Sequence, residues 1–248
     1  MIDVHCHLTE EVLARDLENV LRDAREAGIK AIVTSGTSYA DCNNVLEVAD
    51  NRYIYASLGL MPYYSESPQT VAELIRKNRG RVVAVGEVGL DHYLGGRDTW
   101  ERQKTVFKMF IELSKELDLP LVIHSRSAGR YALDLLTSLG AERVIMHAFD
   151  GSASEAERGA AKGYYFSIPP SVVRSEQKQK MVRRLKLESL LLESDAPALG
   201  PERAAPNYPK NIKISAEYVA RAKGLTLEKV VDVTMDNASQ LLRIQTLF

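Results

Sequence analysis

Short apolar, strand-like runs and amphipathic helical stretches alternate eight times along this chain, and few folds use that rhythm. The strand-like runs lie near 2–7, 30–35, 53–59, 82–87, 120–124, 143–147, 164–168 and 189–194. Each is dominated by apolar, β-branched or aromatic residues. Helical patterns fill the intervals. Glu11 to Ala27 reads as one amphipathic helix with Gly28 just past its end. Ser67-Pro68 reads as an N-cap followed by proline at the first helical position. Asp98 precedes a long helix with Glu101 at its third position, and Pro120 blocks continuation. Ser154-Glu155-Ala156-Glu157 reads as a capping box, and Gly163 ends that helix. Two helices near 215–223 and 227–243 close the pattern.

Eight β-then-α units with continuously apolar strands predict an α/β protein with a parallel sheet covered by helices. A closed (β/α)8 TIM barrel needs about 250 residues, and the chain has 248. We therefore expect a single barrel domain over 1–248. An open, doubly wound sheet is the alternative, but no glycine-rich phosphate loop supports it. The stretch Gly200 to Asn211, rich in Pro and Ala, reads as a long loop at the barrel mouth. The run Lys178 to Lys186 reads as a solvated helix face.

Polar residues recur at the ends of these strands. The chain opens Asp3-Val4-His5-Cys6-His7. On a regular strand, alternation points His5 and His7 the same way, Asp3 behind them and Cys6 to the other face. His124 ends Pro120-Leu121-Val122-Ile123-His124, and His147 ends Arg143-Val144-Ile145-Met146-His147. Glu87 and Asp195 close two further runs. For one such residue, a satisfied core histidine or a helix-capping acid is as good an explanation as a functional role. Six polar groups at equivalent strand ends need a common reason, and a metal cluster supplies one. In a barrel these residues, from strands one, four, five, six and eight, converge on the C-terminal mouth where active sites lie.

Composition narrows the setting. The apolar share of 45% and charged share of 26% are those of an ordinary globular protein. The net charge of −1 provides no broad field for nucleic acid. Affinity for a polyanion must come from a local patch or from bound cations. Cys6 and Cys42 are too few for a disulfide framework. No apolar stretch is long enough to span a bilayer, and no basic leader precedes an apolar run. A cytoplasmic protein without a membrane partner is the expectation; nothing in the chain sets an oligomeric state.

With these residues in place, the chain resembles the TatD family of metal-dependent hydrolases and deoxyribonucleases, within the amidohydrolase-like barrels. The resemblance runs through Asp3-x-His5-x-His7, Gly86-Glu87-Val88-Gly89-Leu90-Asp91 and Pro120-x-x-x-His124-Ser125-Arg126. It continues through His147-x-Phe149-x-Gly151-Ser152 and Glu193-Ser194-Asp195-Ala196-Pro197. It implies a hydrolase using one to three divalent ions, and the six candidate ligands suit two (Zn, Mn or Mg). His5, His7 and Asp195 would hold one ion, His124 and His147 the other, with Glu87 as the bridge. Asp195 would also serve as general base. The implied substrate is a nucleic-acid or small-molecule phosphodiester. Arg126, directly after His124-Ser125 at the mouth, is suited to grip its phosphate and equally to pair with a neighbouring acid as a helix-start arginine.

Two departures fall on expected substrate contacts. A Gly-x-His-Pro element of the family reads Gly59-Leu60-Met61-Pro62 here, and a thioether donates no hydrogen bond. The family's Asn-Glu-Pro element is absent; the chain reads Ala205-Pro206-Asn207-Tyr208-Pro209. His92, where the family often carries tyrosine, is a candidate replacement donor and equally an exposed loop histidine. A different metal hydrolase on the same scaffold, cleaving an amide, lactone or phosphomonoester, is the competing function. Many amidase and lactonase barrels bridge their metals with a carboxylated lysine, so Glu87 at that place favours the nuclease-like branch. A non-catalytic metal-binding protein is the third reading. It expects a coordinatively closed site, whereas six ligands over two ions leave open positions.

Overall fold

A computed structural model describes residues 1–244. Eight strands form one sheet: β1 (Ile2–Cys6), β2 (Ala31–Gly36), β3 (Ile54–Leu58), β4 (Val82–Gly89), β5 (Leu121–His124), β6 (Val144–Met146), β7 (Tyr165–Ile168) and β8 (Leu190–Leu192). Their spatial order follows the chain order, and each neighbouring pair from β1–β2 to β7–β8 is parallel. The backbone bonds from Asp195 N to His5 O (2.9 Å) and from His7 N to Ala196 O (2.8 Å) lay the chain after β8 against β1. The sheet is thereby drawn round into a TIM barrel, as the eight-fold alternation predicted.

The helices are α1 (Glu11–Ala14), α2 (Leu17–Glu26), α3 (Tyr39–Val48), α4 (Pro68–Lys77), α5 (Trp100–Leu117), α6 (Gly129–Ser138), α7 (Ala153–Ala160), α8 (Glu176–Arg184), α9 (Ile212–Lys223) and α10 (Leu227–Leu242). Four local expectations are corrected. The stretch Glu11 to Ala27 is not one helix. It breaks before Leu17, where Asp16 leaves the helical region (φ −137°, ψ 41°) and its side chain accepts from Asn19 Nδ2 at 2.6 Å. Aspartate competes for backbone and neighbouring donors and prefers such boundary positions. The capping box of α7 begins two residues earlier than read. Ser152 Oγ accepts from Glu155 N (3.2 Å) and Glu155 Oε2 accepts from Ser152 N (2.7 Å). Asp98 caps nothing, because it lies inside a 3-10 turn, Arg97–Thr99, that leads into α5. Finally, Lys178 in α8 is buried rather than solvated. It shares the apolar stripe with Met181, Val182 and Leu185, all buried.

Two apolar layers hold the barrel. Inside it, Ile2, Val4, Ala31, Val33, Ala84, Val122, Ile145 and Leu191 form one cluster with Ala238 and Leu241 of α10, which plugs one end. Alternate strand residues, such as Ile32, Leu58, Ile123 and Leu192, pack outward against the helices. Each such side chain contributes about 1.5–3 kcal/mol on burial.

β1 departs from strict alternation. Its register against β2 shifts between Asp3 and Cys6. Val4 packs in the interior cluster and Cys6 in the outer one, yet His5 and His7 both reach Glu87. A local bulge therefore turns His5 to the same side as Val4.

Candidate metal centre

The strand ends bring His5, His7, Glu87, His124, His147 and Asp195 together in three overlapping triads: His5–His7–Glu87, His5–His147–Asp195 and Glu87–His124–His147. Within each, the ligand-type atoms lie no more than 4.8 Å apart. Close backbone contact sets the depth of this floor. A Cβ on Gly59 would fall 2.3 Å from the Glu87 carbonyl oxygen, and one on Gly89 (φ +149°) 2.0 Å from that of His124. Only glycine permits β3, β4 and β5 to approach so closely there.

Glu87 is the hub. Its Oε2 lies 3.3 Å from His5 Nε2 and 3.4 Å from His7 Nε2, while its Oε1 lies 2.6 Å from His124 Nδ1 and 3.7 Å from His147 Nε2. Asp195 Oδ1 stands 3.5, 3.6 and 3.6 Å from the Nε2 atoms of His5, His7 and His147.

The far side of each ring is held. His7 Nδ1 donates to the Ser35 carbonyl (3.0 Å), and His5 Nδ1 pairs with Ser35 Oγ (3.0 Å). His147 Nδ1 donates to Glu193 Oε2 at 2.8 Å. Glu193 also accepts from Ala148 N (2.9 Å) and from Ser167 Oγ. Partners on Nδ1 orient each ring and leave Nε2 facing the carboxylates, the arrangement a metal-ligating histidine needs. His124 differs: Nδ1 meets Glu87, and Nε2 meets Asp91 Oδ2 at 2.8 Å. Asp91 is fixed in turn by the N–H groups of Tyr93 and Leu94.

The electrostatics are those of a cluster built around cations. Burial alone would push Glu87 up, but His147, His5 and His124 hold its carboxyl well below the usual carboxylate range. Asp195 is lowered in the same way against its burial, by His147, His5 and His7. Burial disfavours the charged form of His5, and the Glu87 and Asp195 carboxylates outweigh it, raising it to about 9. Burial also opposes charge on His124, and Glu87 and Asp91 raise it to about 9. His5 Nε2, fully buried, makes no hydrogen bond. A buried ring nitrogen without a partner is costly unless something else takes its lone pair. Four imidazoles, two shared carboxylates and that orphaned nitrogen fit divalent ions.

The surrounding cleft has a volume of about 590 Å³ and is lined further by Met61, Ser125, Arg126, Ser171, Arg174 and Lys178. Asp195 (φ 52°), Ala148 (φ 37°), Ser127 (φ 55°) and Leu199 (φ 44°) all adopt the left-handed region. Such strain, about 1–3 kcal/mol per residue, gathers at functional sites. Lys178 Nζ donates to the Ala148 carbonyl at 2.9 Å and so braces the backbone next to His147. Burial lowers its pKa against the pull of Glu193, Asp150 and Asp195.

Arg126 reaches the cleft, its guanidinium 4.0 Å over the Tyr93 ring. Met61 forms part of the wall. His92 is not brought to the cluster. It stacks on Trp100 at 3.8 Å and lines a neighbouring cavity. Sequence reasoning gave no role to Asp91, Glu193, Ser35 or Lys178. Glu193 carried a usable signal, a charge continuing the buried run Leu190-Leu191-Leu192. So did Lys178, by its helical spacing to Met181, Val182 and Leu185. Ser35 carried none.

Histidines and carboxylates converging at the C-terminal mouth of a β/α barrel define a class, the metal-dependent barrel hydrolases. A family model described as TatD related DNase matches residues 2–243, and the chain belongs to that family. It is a metal-dependent hydrolase of the TatD type. It is 42% identical to human deoxyribonuclease TATDN3 over 257 residues, covering 97% of this chain and 94% of that protein. It is 31% identical to an uncharacterized metal-dependent hydrolase of Methanocaldococcus jannaschii, covering 98% of this chain and 96% of that one. The crystal structure of YjjV, a TatD homologue from Escherichia coli, superposes with a TM-score of 0.90 at 29% identity, covering 99% and 98% of the two chains. Among the described residues, no helix is long and apolar enough to cross a membrane.

Proposed function

We propose that this protein is a deoxyribonuclease, a phosphodiesterase working with two divalent ions. The observation that carries the two-ion part is the division of Glu87, one carboxylate oxygen toward His5 and His7 and the other toward His124 and His147. A carboxylate so placed can bridge two cations. His5, His7 and Asp195 would complete one ligand set, and His124 and His147 the other. An imidazole-rich set favours Zn or Mn over Mg. When bound, such ions polarise a phosphoryl oxygen and lower the pKa of water.

The chain's own residues do the rest. Asp195, held ionised by its histidine neighbours, accepts the proton of the attacking water. Glu193 holds the His147 ring in place through Nδ1. Arg126 offers two parallel N–H groups to phosphate oxygens from the cleft wall. DNA as substrate is supported by the name of the human relative. A cytoplasmic setting is part of the proposal, supported by two buried, unpaired thiols, Cys6 and Cys42.

Wild type, Met61→His and Arg126→Ala, each loaded with Zn, Mn or Mg, should be compared on single-stranded DNA. The expected order is weak cleavage by wild type, more by Met61→His and less by Arg126→Ala. Wild type and Met61→His both inert on DNA and RNA while cleaving a lactone or amide would overturn the nuclease reading.

A further inference from the structure

A second cavity flanks the metal cleft and plays no part in holding the cluster. It occupies the groove between α5 and α6, has a volume of about 450 Å³, and is lined by Leu90, His92, Trp100, Lys104, Tyr131 and Leu135 among others. That size is within the usual range for a small-molecule site, about 300–1,000 Å³. Its wall is aromatic and ordered. The His92 ring lies on the Trp100 indole with centroids 3.8 Å apart and planes 13° apart, and Tyr131 stands 5.1 Å from His92. Trp100 Nε1 and His92 Nδ1 have no hydrogen-bond partner among the described residues.

The cavity is joined to the cleft by exposed aromatic surface. Tyr131 is 58% exposed, Tyr93 66% and Leu94 56%. Tyr93 lies under the Arg126 guanidinium, and Arg126 and Leu94 line the metal cleft. His92 N donates to the Arg126 carbonyl at 3.0 Å, tying the two loops together. A row of Arg126, Tyr93, His92, Trp100 and Tyr131 thus leads from the cluster into the groove. Tyr93, Leu94 and Tyr131, large and exposed, add little to the core, and exposed apolar surface of this kind beside a cleft marks an interaction site.

The chemistry of the groove selects its occupant. Aromatic faces stack on any nucleobase, whatever the sequence. Lys104 and Arg126 place cations where a strand's phosphates would run. Glu101, 3.8 Å from Lys104, and Asp134, 2.8 Å from Arg158, also line the cavity, and their remaining carboxylate lone pairs can accept from exocyclic amines. A lipid tail or an apolar peptide would offer these rim charges no polar group of its own.

We propose that the α5–α6 groove is a nucleobase subsite. It takes a base of the single strand whose phosphodiester lies at the cluster, stacked against Tyr131 and the His92–Trp100 pair, with Tyr93 and Arg126 carrying the strand between. The proposal rests on the phosphodiesterase reading and extends it to the substrate's flanking nucleotides.

Trp100 is the chain's sole tryptophan, so its fluorescence reports on the groove without turnover. Deoxyadenosine monophosphate added to the metal-loaded full chain should quench it, and Tyr131→Ala should weaken that binding by about tenfold. On single-stranded DNA made abasic beside the cleaved bond, wild-type KM should rise about tenfold over the intact strand with kcat little changed. The double variant Tyr93→Ala/Tyr131→Ala should show the raised KM on both strands. Equal wild-type KM on intact and abasic strands overturns the subsite. Wild type inert on every DNA strand removes the deoxyribonuclease reading instead, and quenching then decides the subsite alone: no quenching by the nucleotide overturns it.

Discussion

The two ends of this barrel are made from the same eight strands and obey different rules. At the end closed by α10, interior positions hold Ile2, Val4, Ala31, Val33, Val122, Ile145 and Leu191, packed against Ala238 and Leu241. At the mouth, the next inward positions hold imidazoles and carboxylates, with left-handed backbone at Ala148 and Asp195 and an orphaned nitrogen on His5. One end accumulates burial; the other holds strain and unsatisfied charge that burial must offset. The strands are the mechanical link: in β5 and β6 the plug residues Val122 and Ile145 set the direction of His124 and His147 two positions on, whereas in β1 the bulge hands the direction of Val4 to His5.

If this division is real, substitutions at the mouth change turnover and those at the plug change stability. Glu87→Gln should have the largest effect on turnover. It removes the carboxylate that both histidine pairs share, so hydrolysis should fall below detection and elemental analysis should find less than the wild-type metal content. Full metal retention with near-normal rates would end the bridging role. Asp195→Asn comes next, with turnover down about 10²–10⁴-fold as expected for loss of a general base. Asparagine tolerates the left-handed backbone at this position, so circular dichroism should be unchanged. A fully metallated variant with normal turnover would rule Asp195 out as the base.

Glu193→Gln should cost about 10–100-fold in metal affinity or activity, the usual effect of removing a carboxylate that orients a ligating histidine. Competition with a chelator measures the affinity directly, and wild-type affinity and rates would mean Glu193 serves packing alone. Leu191→Ala should have the smallest effect on turnover. It lies in the plug cluster and is fully buried, so urea unfolding should show a loss of about 2–5 kcal/mol with kcat unchanged. A drop in kcat as large as that for Glu193→Gln would dissolve the distinction between the two ends.

The fold was legible because eight apolar runs are local signals and a parallel barrel buries each strand on both faces, whereas individual helix starts, as at Asp98 and Ser154, were not. The six residues of the cluster were legible for the same reason: a polar group at the end of an apolar run breaks the pattern. What escaped detection depends on neighbours far apart in sequence. Ser35 holds His5 and His7 through its hydroxyl and its carbonyl, but nothing in Thr34-Ser35-Gly36 announces it. Asp91 was visible in its motif, while its contact with His124 exists only once β4 and β5 pair. His92 was placed near the cluster by its position in the sequence, and its stack on Trp100 sets it instead in the groove beside the cleft. Lys178 was hidden by the charges around it in α8, although helical periodicity placed it on the buried stripe.

The shifted register of β1 fixes that strand's length to the residue. Val4 faces the plug cluster, His5 and His7 face Glu87, and Cys6 faces the helices, all within four positions. Deleting or inserting one residue here would turn a histidine of the cluster into the helical layer or a charge into the plug. The loop from Gly200 to Pro206, mostly exposed, carries no such obligation. A change of length within this loop therefore leaves the cluster in place, and one within the first strand does not.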